Sequence, residues 1–188
     1  MTTAELTNDA AASEPARSKA DVLVIGVAAD GDAVSIPSGV ALAAGVRKEL
    51  VAAASAVGFT GKAGALARIP SPKGVAAGSV LLAGLGDFDE VALESELDAD
   101  GAHEALRRAA AVAVRSLTKG ESVAIAFPAQ TAAAAEATAT GAVLGSYRYT
   151  EYRSNAEEHK RVTSVTVLAP KGSKDGVARG QFLGAATN

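Results

Sequence analysis

From Asp21 the chain reads "DVLVIGVAA", a near-continuous β-branched run closed by "DGD", the pattern of a strand buried on both faces. The twenty residues before it, "MTTAELTNDAAASEPARSKA", are small and polar without hydrophobic period. They cannot offset the entropy of ordering, so residues 1–20 are expected to form a disordered tail. "ALAAGVRKELVAAASAVG" places Leu42, Val46, Leu50 and Val57 at helical spacing and stops at Gly58, a residue suited to a helix C-terminus. "GALARIPSPKGVAAGSVLLAGLGD" predicts strands at about 65–70 and 79–85. The Pro/Gly-rich turn between them leaves no room for a crossover helix, so they are expected to be antiparallel neighbours.

An amphipathic helix is predicted over Ala99–Leu117, with Asp98 and Asp100 near its start and Arg115 and Lys119 near its end, charges that complement the helix dipole. "SVAIAF" reads as a buried strand, "TAAAAEATATGAVLGSY" as a helix and "RVTSVTVLAP" as an alternating strand, and "KDGVARGQFLGAATN" begins a last helix. The order β-α-β-β-α-β-α-β-α defines an α/β fold, a mixed β-sheet flanked by helices on both faces.

Composition adjusts this picture modestly. A chain of 188 residues is within reach of one core. Of its 48% hydrophobic residues, 45 positions are alanine, so Val, Leu and Ile must build the core. A net charge of -3 argues against a generic nucleic-acid or membrane binder, although a local basic patch remains compatible with it. The absence of cysteine excludes disulfides, thiolate catalysis and Cys-ligated zinc. No apolar run approaches a membrane span and the N-terminus lacks a secretion-signal pattern, which points to the cytoplasm.

Catalytic motifs are scarce. "GLGD", Gly84 to Asp87, follows a strand, where Gly84 and Gly86 could let backbone approach a phosphate. The third glycine and immediate helix of a dinucleotide site are absent, and the acidic residues that follow would repel an anion, so a plain turn is favoured. "GFTGKAG" lacks the first glycine and the Ser or Thr of a P-loop and reads as a turn into the next strand. The acidic run Asp87, Asp89, Glu90, Glu94, Glu96, Asp98 and Asp100 lacks the spacing of a calcium loop and reads as a solvated acidic segment. His103 and His159, the only histidines, are far apart in sequence and read as exposed polar residues.

All three tyrosines lie in "LGSYRYTEYRS". Tyr147, Tyr149 and Tyr152 alternate there with Arg148 and Arg153, in a chain with four phenylalanines and no tryptophan. Such a stretch can stack bases and neutralise phosphates. It also has the composition of a protein-protein or inter-domain contact. Core packing is a third use. The nearby Glu151, Glu157 and Glu158 favour the contact surface over DNA.

"DVLVIGV", "GFTGKAG", "VLLAGLGD", "EALRRAAAVAVRSL" and above all "GAVLGSYRYTEYRS" together resemble, in order and spacing, the N-terminal domain of leucyl aminopeptidases, the M17 or cytosol aminopeptidase family. The likeness covers about 20–188, and the alanine-rich style suggests an actinobacterial source. It implies a macro-domain-like N-terminal domain over 21–172, with 173–188 starting a linker helix toward a C-terminal catalytic domain. It also implies a homo-hexameric enzyme that removes N-terminal residues from peptides with two divalent metals, Mn or Zn, held by that catalytic domain. The family's metal-binding stretches, Asn-Thr-Asp-Ala-x-Gly-Arg and a segment ending Asp-Ser-Gly-Gly, do not occur here. The resemblance therefore transfers no catalytic or metal-binding residue and implies no cofactor in this chain. It makes the tyrosine-arginine stretch a junction facing a neighbouring domain or subunit. DNA binding, known for some bacterial members of the family, and a nucleotide pocket near Gly84, Gly86 and Asp87 remain the alternatives.

Overall fold

The computed structural model describes residues 5–8, 14–31, 33–70, 72–94, 99–147 and 162–187. In chain order the elements are β1 (Glu5–Asn8), β2 (Val22–Asp30), β3 (Ala33–Ser35), α1 (Ala44–Ala56), β4 (Leu66–Pro70), β5 (Ser79–Gly86), α2 (Ala99–Ser116), β6 (Ser122–Ala126), α3 (Ala132–Ser146), β7 (Ser164–Val167) and α4 (Lys174–Thr187). The sheet runs β1-β7-β6-β2-β5-β4, with β3 paired to the end of β2. β1, β7, β6, β2 and β5 are parallel, whereas β4 pairs antiparallel with β5 and β3 with β2. The mixed sheet and the antiparallel β4–β5 pair are those expected from the hydrophobic pattern.

β2 shows why its sequence is apolar without alternation. Val22 and Val24 pack on one face with Leu81, Leu106 and Ile125, and Leu23, Ile25 and Val27 pack on the other with Leu50, Val80 and Leu82. Period-two geometry sends successive side chains to opposite faces, and helices cover both. α1 closes one face through Leu50 and Ala54. α2, α3 and α4 cover the other, and there glycines bring helices into backbone contact. A Cβ at Gly141 would lie 2.1 Å from Arg107 O on α2, and one at Gly176 would lie 2.0 Å from Ala132 O on α3. α4 is thus docked along α3. Thr140 Oγ1 donates to Gly180 O at 3.3 Å and Arg179 Nε to Glu136 Oε2 at 2.9 Å.

The disordered tail expected over 1–20 is corrected in part. Glu5–Asn8 pairs in parallel with Ser164–Val167 as an edge strand, Pro15–Arg17 forms a 3-10 turn with Pro15 buried, and Ala76 N donates to Ala16 O at 2.7 Å. Backbone pairing at a sheet edge requires no side-chain periodicity, so the sequence pattern carries no sign of it.

Candidate functional site

Three connections meet at the carboxyl ends of the parallel strands: residues 36–43 between β3 and α1, 87–94 after β5, and 127–131 between β6 and α3. In open α/β sheets ligands bind in such crevices where the chain reverses its winding direction. Here β2 connects toward β5, and β6 connects toward β7 on the opposite side.

The 36–43 connection is held from two sides. Arg47, on the first turns of α1, donates through Nη1 to Ile36 O and to Pro37 O (3.0 Å) and through Nη2 to Val40 O (2.7 Å). The Glu90 carboxylate accepts from the opposite side, taking Ser38 N at 2.8 Å and Ser38 Oγ at 2.9 Å on Oε2, and Gly39 N at 2.5 Å on Oε1. Gly39 has a steric reason to lack a side chain. A Cβ there would lie 2.6 Å from Glu90 Oε1 and 2.2 Å from Gln130 Oε1. Glu90 is therefore more than a solvated member of an acidic run: half-buried, it holds the Ser38–Gly39 turn. The run as a whole carries no sign of this role, because the contact spans about fifty residues.

Gly84 and Gly86 serve packing. Gly84 N donates to Ala65 O (2.9 Å), Gly84 O accepts from Gly64 N (3.3 Å), and Gly86 N donates to Gly61 O (2.9 Å). A Cβ at Gly84 would lie 2.0 Å from Lys62 O. Gly86 adopts φ +79°, and Asp87 beside it is exposed. The "GFTGKAG" segment forms the turn expected of it, with Gly58, Gly61 and Gly64 all at positive φ, a region that L side chains rarely enter.

Of the tyrosine-arginine stretch, Tyr147 is described: it ends α3 in an extended conformation and is 39% exposed. Arg148, Tyr149, Tyr152 and Arg153 lie outside the described residues, as does His159. His103 departs from the exposed position expected of it. It is half-buried on α2, with Nε2 enclosed and without a hydrogen-bond partner among the described residues. It lines a cleft of about 460 Å³ between α2, α3 and α4, together with Asp100, Arg107, Glu136, Thr140 and Leu183. The helix carries an apolar face on its inner side and turns charges outward, so a histidine at the margin lies under its neighbours. On α4, Phe182 is 74% and Leu183 46% exposed.

At the amino ends of the parallel strands, Asp21 ties β2 to β6. Its carboxylate accepts Ser122 N at 2.8 Å and Ser122 Oγ at 2.7 Å. These bonds, the backbone one foremost and the hydroxyl second, hold the Asp21 carboxyl below its ordinary pKa. Arg68 continues the network to Ser79 Oγ (3.0 Å) and Glu121 Oε1 (2.7 Å). Among the described residues no group of three or more His, Cys, Asp or Glu side chains could hold a metal ion, so these residues do not fit a two-metal centre. No helix among them is long and apolar enough to cross a membrane.

Fold and polar geometry define an α/β domain in which the Glu90 carboxylate ties the 36–43 connection to the segment after β5. The model of the "Cytosol aminopeptidase family, N-terminal domain" matches residues 24–156, and the chain belongs to that family. The "Probable cytosol aminopeptidase" of Streptomyces coelicolor is 34% identical over 167 residues, which cover 88% of this chain and 31% of the relative. That of Nocardia farcinica is 40% identical over 170 residues, covering 87% and 29%. Among solved structures, the bottromycin maturation enzyme BotP in complex with Mn superposes with a TM-score of 0.58 at 25% identity, covering 89% of this chain and 30% of that one. A mutant of tomato leucine aminopeptidase superposes with a TM-score of 0.57 at 21% identity, covering 98% and 36%, a likeness of fold. The chain spans about three-tenths of the length of these two aminopeptidase relatives.

Proposed function

We propose that this chain is the non-catalytic N-terminal domain of a metal-dependent leucyl aminopeptidase, an enzyme that removes N-terminal residues from peptides. The observation that carries this reading is the match of 24–156 to the N-terminal domain of the family, over a share of about three-tenths of aminopeptidase relatives. In this reading the two divalent metals, Mn or Zn, belong to a C-terminal catalytic domain, and no residue of this chain takes a chemical step.

The domain's part is to support assembly of a cytoplasmic homo-hexamer and access to the active site. The exposed Phe182 and Leu183 on α4 support a contact of that kind, because exposed large apolar side chains suit burial against a partner. Tyr147 at the end of α3, with the arginines and tyrosines that follow it in sequence, supplies a second contact. The test is an assay of the purified chain on a chromogenic leucine amide with added manganese or zinc. No turnover is expected. Metal-dependent release of leucine that co-purifies with the chain would overturn the proposal.

A further inference from the structure

We infer that the Ser38–Gly39 turn is an anion-binding site that Glu90 fills in cis, and that a phosphate-bearing ligand takes the site when the Glu90 carboxylate is removed or displaced. Three donors converge there on one carboxylate: Ser38 N, Ser38 Oγ and Gly39 N. Backbone N–H groups gathered in a turn, joined by a hydroxyl, form a concavity of the kind that holds phosphate oxygens. The donors are aimed before any ligand arrives. The Pro37–Ser38 peptide has its carbonyl on the Arg47 guanidinium and its N–H on Glu90, and Arg47 also fixes the carbonyls of Ile36 and Val40. Arg47 thus sets the direction of the Ser38 N–H independently of what occupies the turn, and a cation behind that peptide strengthens its N–H as a donor to an anion.

The place in the fold agrees with this chemistry. The turn lies at the carboxyl edge of the parallel strands, and the absent Cβ of Gly39 leaves space that the ends of Glu90 and Gln130 now fill. Both are ends of flexible side chains, so a ligand can displace them without moving backbone. The segment that carries Glu90 has its own anchors. Leu93 is buried in the core, and Phe88 and Ala92 pack against it, while Val91 N is bonded to Asp89 Oδ1 at 2.9 Å. Removing the Glu90 carboxylate therefore empties the turn and leaves the segment in place. A tethered carboxylate acts at an effective concentration of roughly millimolar or above, so weak free anions are outcompeted in the native chain.

The test titrates inorganic phosphate, and separately a nucleoside diphosphate, into the native chain, Glu90→Ala and Glu90→Gln. Chloride at matched ionic strength is the control, and the readout is the amide resonances of Ser38 and Gly39. The expected result is a saturable shift of both amides in Glu90→Ala, with an apparent affinity at least about tenfold above the native chain. Glu90→Gln is expected to fall between them, because its amide oxygen still accepts without a charge. Tighter binding of the diphosphate than of phosphate would assign the site to a ligand with linked phosphates; equal binding would assign it to a single phosphate group. The inference is overturned if folded Glu90→Ala binds neither anion better than the native chain, or if the shifts fall elsewhere. If Glu90→Ala does not fold, the same comparison in Glu90→Gln decides the matter.

Discussion

Two glycine-bearing segments lie at the same edge of the sheet and use glycine in opposite ways. In Gly84–Asp87, where the sequence favours a plain turn over a ligand loop, the glycines admit other backbone: a Cβ at Gly84 would strike Lys62 O at 2.0 Å. In Ser38–Gly39, which carries no sequence motif, the glycine admits side-chain ends, Glu90 and Gln130. Backbone cannot yield without distorting two elements at once, whereas a side-chain end swings away through rotamer changes. A glycine in a sequence signals close approach; what approaches decides whether the place is structural or exchangeable.

The comparison can be broken most forcefully at Gly84. Gly84→Ala is expected to destabilise the fold by about 3 kcal/mol, because the clash falls on backbone, and a urea midpoint measurement would show it. Arg47→Ala comes next, at about 2 kcal/mol, since it removes the charged donor from three carbonyls at once. Gly39→Ala is expected to cost about 1 kcal/mol or less, as Glu90 and Gln130 move aside, while the Ser38 and Gly39 amides shift on losing their acceptor. A loss at Gly39 equal to that at Gly84 would erase the distinction.

The smallest effect concerns Asp21, a carboxylate that accepts a serine N–H and hydroxyl much as Glu90 does, but between paired strands. Its folded pKa lies below the ordinary value of 3.8. The stability it contributes is therefore complete above that value and is lost as pH falls through the folded pKa. The native urea midpoint should drop further than that of Asp21→Asn between about pH 5 and about pH 3. Parallel acid profiles of the two proteins would contradict the assignment.

The sequence was most legible where one element's own pattern determines its place. β2 is apolar on both faces because helices cover both, and the Pro/Gly turn before Gly78 leaves β4 and β5 only an antiparallel arrangement. β1 and β3 escaped because strands of four and three residues take their definition from a neighbour's backbone. Glu90 escaped for a related reason. Nothing local distinguishes a carboxylate that will meet Ser38 from the solvated acids around it. His103 reads as polar from its charged surroundings, yet the packing of α3 and α4 beside α2 half-buries it. Of the tyrosines and arginines in that stretch, Tyr147 alone falls among the described residues.

The claim that this domain supports an enzyme it does not itself catalyse for is tested most directly in a longer relative. The Streptomyces coelicolor protein would be prepared with and without the segment aligned to this chain, and its molar mass in solution and leucine-amide turnover measured side by side. The account predicts that removal changes the assembly and lowers turnover. An unchanged number of subunits together with unchanged turnover would contradict it.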